Sequence, residues 1–101
     1  MKVTVKFLSP LRSPSGKDKE NVDCSLATDV RGLFRKIEEK LGQEFSQMIF
    51  DQGSGKIKDS IAICLQREGS PRYQRLELFK GLDTQLQPND SLIIFHPASG
   101  G

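Results

Sequence analysis

The stretch Ser91-Leu92-Ile93-Ile94-Phe95-His96-Pro97-Ala98-Ser99-Gly100-Gly101 decides how the rest of the chain is read. Its first half is apolar and β-branched and follows Pro88-Asn89-Asp90, a turn in which proline presets φ and the Asn and Asp side chains bond their local backbone. Ser91 to Phe95 is therefore expected to be a strand. Past Phe95 there are too few apolar side chains to build another element, so residues 97–101 are expected to project as a tail from a domain spanning 1–96. At ordinary glycine usage of about 7% per position, a terminal Gly-Gly arises by chance in roughly 0.5% of chains. Chemistry supplies a reason for it. A carboxylate that must thread into another protein's active site gains from neighbours without side chains and with free access to unusual φ. Pro97 stiffens the base of such an arm. Five residues from Pro97 to Gly101 reach at most about 16 to 18 Å when extended, enough to enter a pocket while the domain docks outside it.

Outward from this stretch, Lys2 to Leu8 alternates, with Val3, Val5 and Phe7 on one side and Lys2, Thr4 and Lys6 on the other, as a half-buried strand does. Ser9 to Glu20 is rich in Pro, Gly, Ser and charge and is expected to be a mobile connection to a second strand at about Asn21 to Leu26. A helix is expected from Asp29 to Leu41. Thr28 can cap it, Asp29 suits its positive end, and Gly42 stops it after Lys40. Val30, Leu33, Phe34, Ile37 and Leu41 form one apolar stripe, which must face a sheet. Phe45, Met48 and Ile49 keep helical spacing, so a short second helix precedes the Gly53-Ser54-Gly55-Lys56 loop. Ile61 to Leu65 has the length and branching of a strand near the sheet centre. The polar segment Gln66 to Gln74 should be a loop leading to a short strand near Arg75 to Leu78.

The order is strand, strand, helix, short helix, strand, short strand, strand, with one main helix to cover one sheet face. This predicts an α+β, single-domain β-grasp fold with a mixed sheet of about four to five strands. Parallel pairing of the first and last strands at its centre makes the intervening helix a right-handed crossover. The tail would then leave from the middle of the sheet.

Composition excludes several classes of function. At 101 residues the chain holds one ordinary domain. No run nears the roughly 18 apolar residues of a membrane span, and Met1 to Lys6 lacks the apolar run of a secretory signal, so the cytoplasm is the expected compartment. A net charge of +2 with both signs mixed is too small for a nucleic-acid footprint. Arg67, Arg72 and Arg75 around Tyr73 read as a solvated loop with one anchoring aromatic. Cys24 and Cys64 stand apart within apolar segments, as buried free thiols and not a metal or redox pair. Gly53-Ser54-Gly55-Lys56 lacks the glycine (Phe50 stands there) and the Ser/Thr (Ile57 stands there) of a phosphate loop. His96 is the single histidine, placed where strand meets tail, and reads as a surface contact residue with no metal cluster around it. The groups for self-sufficient catalysis are missing, and the chain is expected not to be an enzyme.

With Gly100-Gly101 placed after a β-grasp pattern, the sequence resembles the MoaD/ThiS family of sulfur carriers, which includes the molybdopterin synthase small subunit and the archaeal ubiquitin-like modifiers. The first strand with Phe7, Leu11 and Arg12 is similar to the family's opening. Phe79-Lys80-Gly81-Leu82-Asp83-Thr84-Gln85-Leu86 followed by Asn89-Asp90 is similar to its late segment, and Glu44-Phe45-Ser46-Gln47-Met48 looks most like archaeal-type members. The family's usual Pro-Pro-Val-Ala/Ser-Gly-Gly is replaced by His96-Pro97-Ala98-Ser99-Gly100-Gly101, and its Asn-Gly hairpin by Arg67 to Arg75. The resemblance implies that a partner, an ATP-dependent activating enzyme of MoeB/ThiF type, joins the Gly101 carboxylate to AMP. Persulfide sulfur then displaces AMP, and Gly101 becomes a thiocarboxylate. It further implies sulfur delivery, to a pterin precursor with a molybdopterin synthase large subunit in molybdenum cofactor biosynthesis or to another acceptor enzyme, or else attack of a target-protein lysine on the activated carbonyl. No cofactor binds the carrier itself; ATP belongs to the activating enzyme. Phe95 and His96 are the expected partner contacts beside a tail of Pro97, Ala98, Ser99 and Gly100, although Phe95 would equally fit an ordinary core position. A ubiquitin-like interaction module that conjugates to nothing remains a third possibility.

Overall fold

A computed structural model describes residues 1–97. Five strands form one sheet: β1 Lys2–Phe7, β2 Lys19–Asp23, β3 Ala62–Gln66, β4 Gln74–Arg75 and β5 Ser91–Phe95. Their order is β2-β1-β5-β3-β4. β1 and β5 pair in parallel, Val5 opposite Leu92, and every other pairing is antiparallel. The β-grasp arrangement expected from the element order is thus the observed one, with β5 at the sheet centre and β3 one place from it.

Two helices, α1 Val30–Leu41 and α2 Gln43–Ile49, cover one face. The period of two in β1 sends Val3, Val5 and Phe7 to that face, where they meet the stripe Val30, Leu33, Phe34 and Ile37 of α1. Phe45 of α2 is fully buried, with its ring edge-on to Phe34 and Phe7 at centroid distances of 5.3 and 6.5 Å. Such pairs add about 0.5–1.5 kcal/mol each beyond the area they bury. Gly42 joins the helices at φ 87° and ψ −179°, a conformation essentially restricted to glycine, and its N–H closes α1 on Glu38 O at 2.7 Å. The turn before β5 has Asn89 at φ 65°, the left-handed region that asparagine tolerates best among non-glycine residues.

Four expectations need correction. The cap of α1 is Asp29, not Thr28: its carboxylate accepts from Gly32 N–H at 2.7 Å, while the Thr28 hydroxyl donates to Ser25 O. Both residues suit an N-cap, and only backbone geometry chooses between them. β2 lies about two residues earlier than expected, and the Ser9 to Glu20 segment is tied rather than mobile. Ser13 N–H donates to Lys17 O, and the Glu20 carboxylate, 4% exposed, accepts from the Ser13 and Ser15 hydroxyls at 2.9 and 2.7 Å. Composition signals the loop but cannot reveal a buried carboxylate that draws two hydroxyls onto itself. The strand expected at Arg75 to Leu78 shrinks to β4, after which Leu76–Leu78 turns as 3-10 helix and buries Leu76 in the core.

Candidate functional site at the end of the central strand

Strand periodicity gives the sheet a second face that neither helix covers. Along one line of register lie Lys19, Lys6, Ile93, Cys64 and Arg75 on five successive strands. The next line toward the end of β5 holds Phe95 opposite Ala62, with Leu8 brought alongside by its N–H bond to Ile94 O at 3.0 Å. Ile93, Cys64 and Ala62 are buried yet lie outside the helix-side core. Together Leu8, Tyr73, Phe95, Ile93, Cys64 and the stem of Lys6 line a depression of about 310 Å³. Leu8 and Tyr73 are each half exposed, at 49% and 50%. An apolar concavity of this kind, with Lys6 at its border, is the kind of surface that another protein covers.

The chain leaves β5 from the rim of this depression. Phe95 is half-buried on the open face, not in the core, which removes the alternative of an ordinary core position. His96 is exposed, and its Nδ1 lies 2.8 Å from Ser60 O. A carbonyl oxygen only accepts, so Nδ1 carries the proton and donates, which secures the exit of the strand to the loop before β3. Pro97 is half-buried. Ala98, Ser99, Gly100 and Gly101, the heart of the expected site, lie outside the described residues.

The remaining side chains that could do chemistry are placed for structure. Both cysteines are free and buried. Burial pushes the Cys64 thiol above its ordinary value against the opposing pull of Arg75, and burial does the same at Cys24. Each is therefore a protonated, weak nucleophile near neutral pH. Among the described residues no group of three His, Cys, Asp or Glu side chains could hold a metal ion, and no helix is long and apolar enough to cross a membrane. Arg67 belongs to the scaffold: it bonds the buried Asp90 at 2.6 Å and lies over the Phe79 ring.

Leu8, Tyr73, Cys64 and Ile93 were missed as site residues by sequence reasoning. A signal was present. Ala62 to Leu65 and Leu92 to Phe95 are apolar at successive positions, so both faces of β3 and β5 are apolar, while the chain supplies helices for one face only.

No family model matches the chain, and no curated protein matches it in sequence. Solved structures do. The small archaeal modifier protein 1 from Methanosarcina acetivorans is similar at 24% identity and a TM-score of 0.71, over 99% of this chain and 96% of that one. Urm1 from Trypanosoma brucei is similar at 17% identity and a TM-score of 0.72, over 99% and 95%. The Amycolatopsis orientalis BexX/CysO complex contains a chain similar at 20% identity and a TM-score of 0.67, over 98% and 99%. The first is one of the archaeal modifiers that the sequence resembles. Likeness over the full length in both directions, with the strand order described above, establishes that by its fold this chain is a ubiquitin-like β-grasp protein.

Proposed function

We propose that the protein is a sulfur carrier that works through the carboxylate of Gly101. An ATP-dependent activating enzyme docks on the open sheet face, and the carboxylate oxygen attacks the α-phosphorus of ATP, releasing pyrophosphate and leaving an acyl adenylate. The terminal sulfur of a persulfide attacks the acyl carbon and displaces AMP. A second thiol cleaves the resulting acyl disulfide and leaves Gly101 as a thiocarboxylate. The carrier supplies a nucleophile and a handle, while nucleotide binding and transition-state stabilisation belong to the activating enzyme.

The observation that carries this proposal is the position of β5: the strand that precedes the diglycine is the central one, and it ends on the rim of the apolar depression. A partner seated over Leu8, Tyr73 and Phe95 has the start of the tail at its border. The similarity to CysO, whose structure was solved in a complex with BexX, supports a docking role for a domain of this shape. Molybdenum cofactor biosynthesis, with transfer to a molybdopterin synthase large subunit, is the sulfur pathway we favour from the sequence resemblance. The similarity to the small archaeal modifier supports a second function for the same acyl adenylate, attack by a lysine amine of a target protein to form an isopeptide.

The two are separated by the intact mass of the protein isolated from its own host without a C-terminal tag, with a parallel digest searched for diglycine remnants on lysines. A thiocarboxylate at Gly101 adds about 16 mass units, one oxygen exchanged for sulfur. Remnants traced to this tail instead identify the modifier. An unmodified carboxylate with no conjugates refutes both.

A further inference from the structure

On the uncovered face of the sheet, β1 and β2 set three pairs of side chains directly opposite one another: Lys2 with Asp23, Thr4 with Asn21, and Lys6 with Lys19. Such partners stand about 4.5–5.5 Å apart at Cβ, where opposite charges and hydrogen bonds stabilise a sheet and like charges destabilise it. The first pair is of opposite charge. The second is joined by a hydrogen bond from the Thr4 hydroxyl to Asn21 Oδ1 at 3.0 Å. The third sets two ammonium groups side by side, and among the described residues neither lysine is in an ion pair. The ladder thus breaks the pairing rule at one position without a compensating contact, which is where a functional residue is expected.

That position lies at the end of the sheet from which the tail leaves. Lys6 is opposite Ile93 in the parallel β1–β5 pair, and its stem forms part of the apolar depression. Lys19 is the next side chain outward on the same line of register, and beyond it Lys17 and Arg12 border the neighbouring cleft. Among the described residues these two are also outside any ion pair. Of the two carboxylates in that cleft, Glu20 is buried beneath the Ser13 and Ser15 hydroxyls, with Lys40 3.7 Å away, which leaves Asp18 as the exposed one. At the far end of the same line of register Arg75 has Glu77 at 3.3 Å. Along this line the uncompensated charge is therefore all on the β1–β2 side of the depression. A surface that covers the depression is fixed in orientation by that asymmetry, since the seat for its anionic groups is on one side.

We propose that Lys6 and Lys19 select the activating enzyme by seating carboxylates of that enzyme between them. The inference rests on the sulfur-carrier reading, in which the enzyme docks on the open face, and adds the chemistry that the enzyme must carry. Its surface presents an apolar projection over Leu8, Tyr73 and Phe95, continuous on one side with Asp or Glu side chains. A carboxylate placed between the two ammonium groups replaces a repulsion in the free carrier by two attractions in the complex. Lys17 and Arg12 extend the positive field outward, which speeds encounter with an acidic surface and makes the rate fall with ionic strength. Carboxylates are favoured over a phosphate backbone because the lysines flank an apolar hollow and the net charge of the chain is +2.

The test is carrier-dependent ATP–pyrophosphate exchange by the host's activating enzyme, with KM and kcat for the full chain measured at low and at physiological ionic strength. K6E and K19E should each raise KM about tenfold or more with kcat within about twofold of wild type, and K6R/K19R should keep the wild-type KM. The rise of KM with salt should be smaller in K6E than in the wild type. K36E/K56E, which changes two exposed lysines on α1 and beyond α2, should leave KM within about twofold. Because each single Glu variant turns the like-charge pair into one of opposite charge, neither should lower Tm. Weaker docking with undiminished stability is a combination that a structural role does not produce. Exchange whose KM is unmoved by K6E and K19E overturns this inference and leaves the carrier reading intact, all the more if the same variants lose binding to a single-stranded oligonucleotide. A KM raised equally by K36E/K56E reduces the effect to net charge and also overturns it. Absence of exchange with the wild-type chain overturns both.

Discussion

Replacing Arg67 with Met should cost about 3 kcal/mol of folding stability, far more than is usual for an arginine on a polar loop. The Asp90 side chain is fully buried at the start of β5, and its Oδ2 accepts from Arg67 at 2.6 Å and from Gln87 N–H at 2.7 Å. Oδ1 is buried with no partner. Arg67 thus supplies the countercharge, and Arg67→Met, which keeps the stem against Phe79, strands a buried carboxylate. Breaking a buried pair from one side costs about 3–5 kcal/mol, and the lower end applies because the Arg67 side chain is 27% exposed. Asp90→Asn should cost only about 1–2 kcal/mol, since the amide oxygen still accepts from Gln87 N–H and Arg67 can turn to water. The double variant should cost at least about 1.5 kcal/mol less than the sum of the two, because it leaves no unpaired charge. Urea denaturation followed by circular dichroism measures all three, and Arg67→Met should lower Tm by about 12 °C or more at 4–8 °C per kcal/mol. A loss under about 1 kcal/mol for Arg67→Met, or strict additivity, would refute the assignment of Arg67 to the scaffold.

Three other perturbations follow from the same structure. Asp29→Ala removes the acceptor of Gly32 N–H and should cost about 0.5–2 kcal/mol by denaturant titration, whereas Thr28→Val should cost less, because Thr28 does not cap α1. Burial works to raise the Glu20 carboxyl, but hydrogen bonds from Ser15 and Ser13 and the charges of Lys40 and Lys17 outweigh it and hold the group below its ordinary value of 4.5. Because the folded value is the lower one, this contribution is present above pH 4.5 and is lost as pH falls below it. Glu20→Gln should therefore flatten the acid limb of the stability profile. Leu8→Asp, at a half-exposed site on the open face, should leave Tm nearly unchanged while weakening docking of the activating enzyme about tenfold or more, read as a raised KM for the carrier.

Much of the fold was legible because the elements obey simple periods. β1 alternates, α1 carries a stripe at three- and four-residue steps, and Pro88-Asn89-Asp90 marks the turn before a strand whose bounds, Ser91 to Phe95, were read without error. The errors fall where local chemistry is ambiguous or contacts are remote in sequence. Thr28 and Asp29 are both good caps, and Leu76 turns inward through a 3-10 turn that no period announces. The tie between Glu20 and Ser13 depends on how a loop doubles back. The candidate site was half legible. The residues at the end of β5 could be named from chain order, but the apolar depression beside them joins β1, β3 and β5 with Tyr73, across sequence separations that only the register reveals.

The measurement that tests the central claim most directly is ATP–pyrophosphate exchange by the host's activating enzyme, with this protein as the acceptor carboxylate. The account predicts exchange that depends on the carrier, is abolished when Gly101 is deleted, and is retained when the buried Cys24 and Cys64 are replaced by alanine in a folded variant. Exchange that survives deletion of Gly101, or its absence with the intact protein, would contradict the proposal that the chain acts through its C-terminal carboxylate.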